Sequence, residues 1–188
     1  MEQAEYYDTF ENNLLKELLR LCTSHQMLGG TLLSSEDIDE RWEAYAPEYM
    51  ADAVPQVNSF PAAAIAWAGY VGMAVAHRWD VDWESFSTEP YENMHGEQGF
   101  DDMDEHIVQH ILGLSLESEE AQKIEEMMRR CANTAITYIR REDTEAQSTK
   151  AFYIFARTAR VLFRIGAAME LHRLGYKFEK VNVAEMAN

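Results

Sequence analysis

Apolar residues recur at spacings of three and four along most of the chain, which is the period of a helix with one buried face. In the first segment, about residues 3–27, the recurring positions are Leu14, Leu15, Leu18, Leu19 and Cys22. Strand-like alternation of apolar and polar residues is scarce, and only 4 Pro and 9 Gly interrupt the pattern. We therefore predict an all-α bundle of five or six helices.

The second predicted helix starts at a cap on Ser34 or Ser35. Pro47 predicts a break in it near Ala46, because a proline inside a helix removes one hydrogen bond and clashes with the preceding turn. The remaining helices are predicted over about 61–79, 101–113, 118–141 and 149–174.

Two segments lack helical periodicity. Residues 84–100 contain Pro90, Gly96 and Gly99 and predict an irregular loop, which is long enough to be a candidate lid or partner contact. Residues 176–188 predict a tail. We expect residues 1–188 to form a single domain.

The helix at 61–79 differs from the others because it has no polar face. Phe60 to Ala76 is a run of 17 residues without charge, including seven Ala and two Gly. A membrane-spanning helix needs about 20 predominantly apolar residues, and alanine contributes little to insertion. A helix that is apolar on all sides is instead typical of a bundle centre, where small residues let neighbouring helices approach closely. We predict this segment to be the central helix, with Gly69 and Gly72 retained for packing.

Charge restricts the classes of partner. The chain of 188 residues is 47% hydrophobic, which is enough for a packed core, and its formal net charge is −17. That charge repels nucleic acid and anionic membranes, so we expect neither as a partner. The two cysteines, Cys22 and Cys131, predict no disulfide framework, and the first residues show no signal-peptide pattern. We expect a cytoplasmic protein, and no motif implies a cofactor.

Three groups of residues are candidates for chemistry. In the first, His77 and Asp80 share a helix face and are a candidate acid–base pair, while Trp79 and Trp83 would stack along one side. Because this group adjoins the 84–100 loop, it predicts the mouth of a pocket. The alternative is that the two tryptophans close the bundle and Asp80 caps the next turn.

The second group is Asp102, His106 and His110, which follow one another at steps of four. Two histidines at that spacing can chelate a transition metal, and an aspartate can add an oxygen ligand. The alternative is that the histidines lie at the edge of the buried face formed by Met103, Ile107 and Ile111. No second ligand pair accompanies them, so we treat a metal site as the less favoured interpretation.

The third group is a stripe of Lys150, Arg157, Arg160 and Arg164 in an otherwise acidic chain, with the three arginines as the candidate binding residues. Arginine forks suit carboxylates and phosphates, so the stripe is a candidate binding site for a small anion or an acidic partner. The alternative is pairing with carboxylates on neighbouring helices.

No phosphate-binding loop, nucleophile elbow or Cys-x-x-Cys motif accompanies these residues. The leading hypothesis is therefore a non-enzymatic helical interaction or accessory protein, which forms a homo-oligomer or binds a protein partner. The alternatives are a small-molecule-binding or enzymatic bundle with a pocket near His77, Trp79 and Asp80, and a metal protein using His106 and His110.

Two stretches resemble a family of uncharacterised bacterial all-helical proteins of about this size. They are Gly69–Trp83 (GYVGMAVAHRWDVDW) and Gly99–Ile107 (GFDDMDEHI). The resemblance implies a helical fold in which both stretches belong to one structural unit, and it brings no assigned activity.

Overall fold

The computed structural model describes residues 2–177 and confirms the predicted all-α bundle of six helices. The helices are α1 (Glu2–Ser24), α2 (Glu36–Ala53), α3 (Pro61–Phe86), α4 (Met103–His106), α5 (Glu119–Arg140) and α6 (Thr149–Arg173). The side chains of Ser35, Ser118 and Ser148 cap α2, α5 and α6 by accepting backbone N–H groups in the first turn. Most of the predicted tail, residues 178–188, lies outside the described residues.

The uncharged helix α3 is the centre of the bundle, as predicted. Residues 64–66 and 68–76 are buried, and α2, α5, α6 and the segment after α4 all pack against α3, with α6 making the most extensive contact. A Cβ on Gly72 would overlap the backbone carbonyl oxygen of Phe163, and a Cβ on Gly166 would overlap the carbonyl oxygen of Gly69. Glycine at these positions lets the two backbones touch, which offsets its low helix propensity.

Pro47 does not break α2, contrary to the prediction. The helix continues to Ala53 with Pro47 inside it. Glu43 and Pro47 are both exposed, so solvent can reach the carbonyl group that loses its hydrogen-bond donor. The described part of the chain contains no helix that is both long and apolar enough to cross a membrane.

Helix α3 extends beyond its predicted end and changes direction at Asp82, whose backbone is extended (φ −169°, ψ 86°). The last turn of α3 therefore faces differently from the rest. After it, residues 87–102 form an irregular segment with a short 3₁₀ turn at Tyr91–Met94 and one bridge between Gly96 and Gly99. Tyr91 and Met94 are buried, so this loop is anchored in the core.

The fourth predicted helix is α-helical only over one turn. From Ile107 to Ile111 it winds as a π-helix. This geometry is rare in proteins overall, and where it occurs it is often at a functional site. Met103, Ile107 and Ile111 are buried, as their spacing predicted.

Candidate functional site

A buried carboxylate joins α3 and α6 at one end of the bundle. Glu170 on α6 has no solvent-exposed surface, and its Oε2 lies 2.8 Å from Nδ1 of His77 on α3. Arg173, one turn further along α6, donates to both carboxylate oxygens at 2.6 and 2.7 Å. Because the carboxylate accepts from the guanidinium, the His77 ring orients with Nδ1–H as donor, which leaves Nε2 without a partner in the described structure.

This cluster replaces the predicted pair of His77 and Asp80. Asp80 instead accepts a hydrogen bond from the Tyr176 hydroxyl at 2.6 Å. Burial, which is the largest cause, and this hydrogen bond together raise the pKa of Tyr176 to about 12. Glu170, 93 residues further along the chain, is the carboxylate that lies beside His77. Sequence spacing gives no signal for a partner that far away.

The predicted stacking of Trp79 on Trp83 is replaced by a different contact. Trp79 packs against the ring of Tyr176, with centroids 5.5 Å apart, and the backbone leaves the helical conformation at Asp82, between the two tryptophans. Two cavities near this end, of about 230 and 300 Å³, are lined by His172 but by neither His77 nor Trp79. The Glu170 carboxylate therefore positions the imidazole of His77, but neither of these two cavities adjoins that ring.

The arginine stripe is largely paired within the molecule. Glu11 on α1, only 5% exposed, accepts from Arg157 at 3.0 Å and from Arg160 at 2.6 and 2.9 Å. Arg157 also lies 2.6 Å from Asp8. Two of the three arginines thus tie α6 to α1, whereas Arg164 has neither a hydrogen bond nor an ion pair with any described residue.

His106 and Asp102 of the predicted metal site have partners outside that site. The rings of His106 and His110 lie 5.2 Å apart, and Nε2 of His106 lies 3.1 Å from the backbone oxygen of Asn93. The Asp102 carboxylate accepts the backbone N–H of Gln98 at 3.1 and 3.3 Å. Within residues 2–177, no group of three or more His, Cys, Asp or Glu side chains has the geometry of a metal site.

A second polar cluster, which sequence reasoning missed, holds the 87–102 loop to α2. Oδ2 of Asp52 accepts from the Tyr91 hydroxyl at 2.8 Å and lies 2.7 Å from Nε2 of His95. Burial and the Asp52 carboxylate raise the pKa of Tyr91 far above its ordinary value, so the hydroxyl remains a donor. These contacts make the loop a fixed wall of the bundle. Asp52 and His95 are 43 residues apart, and nothing in their spacing pointed to the pair.

The same segment is anchored at its start by α2 and α3. Tyr45 donates to the backbone oxygen of Glu89 at 2.6 Å, and Arg78 donates to the Glu89 carboxylate at 3.3 and 3.4 Å. Arg41 donates to the backbone oxygen of Ser87. Together with the buried Tyr91, these bonds disfavour the interpretation of this loop as a lid.

The two cysteines come together in the core. Sγ of Cys22 on α1 and Sγ of Cys131 on α5 lie 3.6 Å apart, unbonded and fully buried. The contact with Cys22, followed by burial, raises the pKa of the Cys131 thiol well above its ordinary value. Both cysteines therefore act as small apolar residues that pack α1 on α5.

An open groove runs between α2 and α6 on the outside of the bundle. It encloses about 850 Å³, and its walls are mainly apolar. The lining residues are Trp42, Glu43, Ala46, Pro47, Met50, Ala51, Val54 and Pro55 on the α2 side, and Phe152, Ala156, Arg157 and Arg160 on α6. We call this feature the α2–α6 groove. Val54 and Phe152 are 42% and 45% exposed, so two large apolar side chains of the groove are open to solvent.

Comparisons with known proteins add no assignment. No protein-family model, no curated protein and no solved structure matches the chain.

Proposed function

We propose that this protein is a non-enzymatic interaction module, and that its α2–α6 groove binds an amphipathic helix of a partner protein. The observation that carries the proposal is the groove itself, an open and mainly apolar channel between α2 and the first half of α6. Amphipathic helices bind grooves of this kind by inserting apolar side chains at spacings of three, four and seven.

The dimensions of the groove suit a short helix. Its lining begins at Trp42 and ends near Val54, a distance of about 18 Å along α2 at 1.5 Å per residue. Residues 42, 46, 50 and 54 recur every four positions along this wall, and residues 152, 156 and 160 do so along the facing wall. A third helix of about three turns would fit between these two rows as helices pack in bundles.

The alternative functions have less support. The His77 imidazole is oriented by Glu170, yet neither cavity at that end reaches it. The His106 and His110 pair has no further ligand among the described side chains. An exposed apolar groove, in contrast, costs free energy while it is uncovered, and covering it is a favourable source of binding energy.

The proposal can be tested with a display library of amphipathic helices of about 16 residues, selected on the wild-type chain. The groove variant is Val54→Glu, and the matched control is Val81→Glu. Val81 is 58% exposed and does not line the groove, so both variants place one new carboxylate at an exposed valine. We expect selected peptides to bind with micromolar affinity, about tenfold more weakly to Val54→Glu, and equally well to Val81→Glu.

Two results would overturn the proposal. One is that no selected peptide loses affinity on Val54→Glu. The other is a wild-type dimer in light scattering that Val54→Glu dissociates and Val81→Glu does not, because a second copy would then occupy the groove.

A further inference from the structure

We infer that the helix bound in the α2–α6 groove carries an aspartate or glutamate at one end, and that this carboxylate pairs with Arg164. The inference rests on the proposed function. It concerns a cleft of about 200 Å³ lined by Asp39, Trp42, Glu43, Arg160, Phe163 and Arg164. Trp42, Glu43 and Arg160 line both this cleft and the groove, so the cleft continues the groove toward the C-terminal half of α6.

Arg164 is the unusual residue in this cleft. It is half-buried and makes no hydrogen bond or ion pair with any described residue. Arg157 and Arg160, on the same stripe of α6, both bind Glu11. None of its guanidinium nitrogens is buried without a partner, so its N–H donors are open to solvent and available to a carboxylate that enters the cleft.

The carboxyl group of Asp39 is the nearest competitor. It lies in the same cleft, but it does not reach ion-pair distance from Arg164. Burial raises the pKa of Asp39, and the charges of Arg164 and Arg160 offset part of that rise. Asp39 therefore partly balances Arg164 electrostatically and leaves its N–H donors unused.

The walls of the cleft favour a strong contact. The rings of Trp42 and Phe163 lie 5.0 Å apart and form an apolar side to the cleft, which reduces solvent screening of a charge placed there. A carboxylate on the incoming helix could accept two parallel N–H bonds from the guanidinium. Asp39 and Glu43 would repel that carboxylate, so we expect a preference of about five- to tenfold and not more.

The experiment uses a peptide from the selection that is sensitive to Val54→Glu, together with a version in which its terminal acidic residue is replaced by glutamine. Both peptides are titrated against the wild type, Arg164→Gln and Arg140→Gln. Arg140, at the end of α5, is also an arginine without an ion pair among the described residues, but it is exposed and lines neither the groove nor the cleft. We expect the acidic peptide to bind about five- to tenfold more tightly on the wild type and Arg140→Gln.

On Arg164→Gln the two peptides should bind equally, which completes a double-mutant cycle. Equal binding of both peptides to the wild type would overturn the inference while leaving the groove proposal standing. The inference would also be overturned, with the groove proposal left standing, if every groove-binding peptide lacks a terminal acidic residue. A peptide that binds more tightly with lysine at its terminal position would have the same meaning. Loss of the groove effect itself would instead remove the proposed function. A thermal melt of Arg164→Gln within about 2 °C of wild type excludes unfolding as the cause.

Discussion

His77 and Glu170 link the two longest described helices through one short contact, 2.8 Å between Nδ1 and Oε2, at a carboxylate with no exposed surface. Arg173 binds the opposite edge of the same carboxylate. A buried carboxylate is tolerated when donors such as His77 and Arg173 bind its oxygens. Removing one partner of such a cluster leaves the others buried without their bonds, which destabilises the fold.

Glu170→Ala should therefore destabilise the protein strongly. It leaves Arg173 and His77 facing a cavity without the carboxylate, and we expect a loss of about 3–5 kcal/mol in the free energy of unfolding. The matched control is Glu120→Ala. Glu120 also binds Arg173, at 3.2 Å, but its side chain is 59% exposed, so we expect a loss below about 1 kcal/mol. Urea denaturation of both variants measures the difference, and equal losses would contradict this account.

Gly72→Ala should lower the free energy of unfolding strongly, although it adds only one methyl group. Its Cβ would overlap the carbonyl oxygen of Phe163 and approach the backbone nitrogen of Ala167 to 2.9 Å, so α3 and α6 must move apart. We expect a loss of about 3 kcal/mol or more. Gly29→Ala is the control, since its Cβ would meet its nearest atom at 3.7 Å. Thermal melts that rank Gly29→Ala as the more damaging change would refute the close packing.

Asp104→Asn should stabilise the protein at high pH. Burial, the largest cause, together with the charges of Glu105 and Glu125, raises the pKa of Asp104 to about 6. A carboxyl whose folded pKa exceeds its unfolded value binds its proton more tightly when folded. Its ionisation therefore costs stability above about pH 6, and that cost disappears as the pH falls toward 4.

We expect the variant to gain about 1 kcal/mol at pH 8, a value reduced because Asp104 is partly solvated, and to lose that advantage near pH 4. Chemical denaturation at several pH values tests this dependence. An advantage that is constant from pH 4 to pH 8 would show that the gain does not come from the carboxyl group.

Asp52→Ala should loosen the 87–102 loop. The substitution removes the carboxylate acceptor of Tyr91 and the partner of His95, and leaves the buried Tyr91 hydroxyl with only the weak acceptor Sδ of Met103 at 3.8 Å, at a cost of about 1–3 kcal/mol. Hydrogen exchange over residues 91–99 should accelerate, while the exposed control Asp101→Ala leaves it unchanged. Unaltered exchange in Asp52→Ala would mean that the apolar anchoring of Tyr91 and Met94 is sufficient.

The sequence by itself determined the helices and the place of α3. Periodicity is a local property: the spacing of Met103, Ile107 and Ile111 identifies a buried face wherever that face is later covered. The uncharged run from Phe60 to Ala76 likewise required surrounding helices, whichever helices those were.

Only the tertiary structure decided which charges meet and where the surface stays open. Glu170 lies 93 residues from His77, and Glu11 lies 149 residues from Arg160. The spacing of residues within a helix therefore gives no indication of either pair. The α2–α6 groove is the space between two helices that are far apart in the chain, and its volume depends on how both pack against the core. Side-chain partners and cavities are properties of this packing, which no single segment encodes.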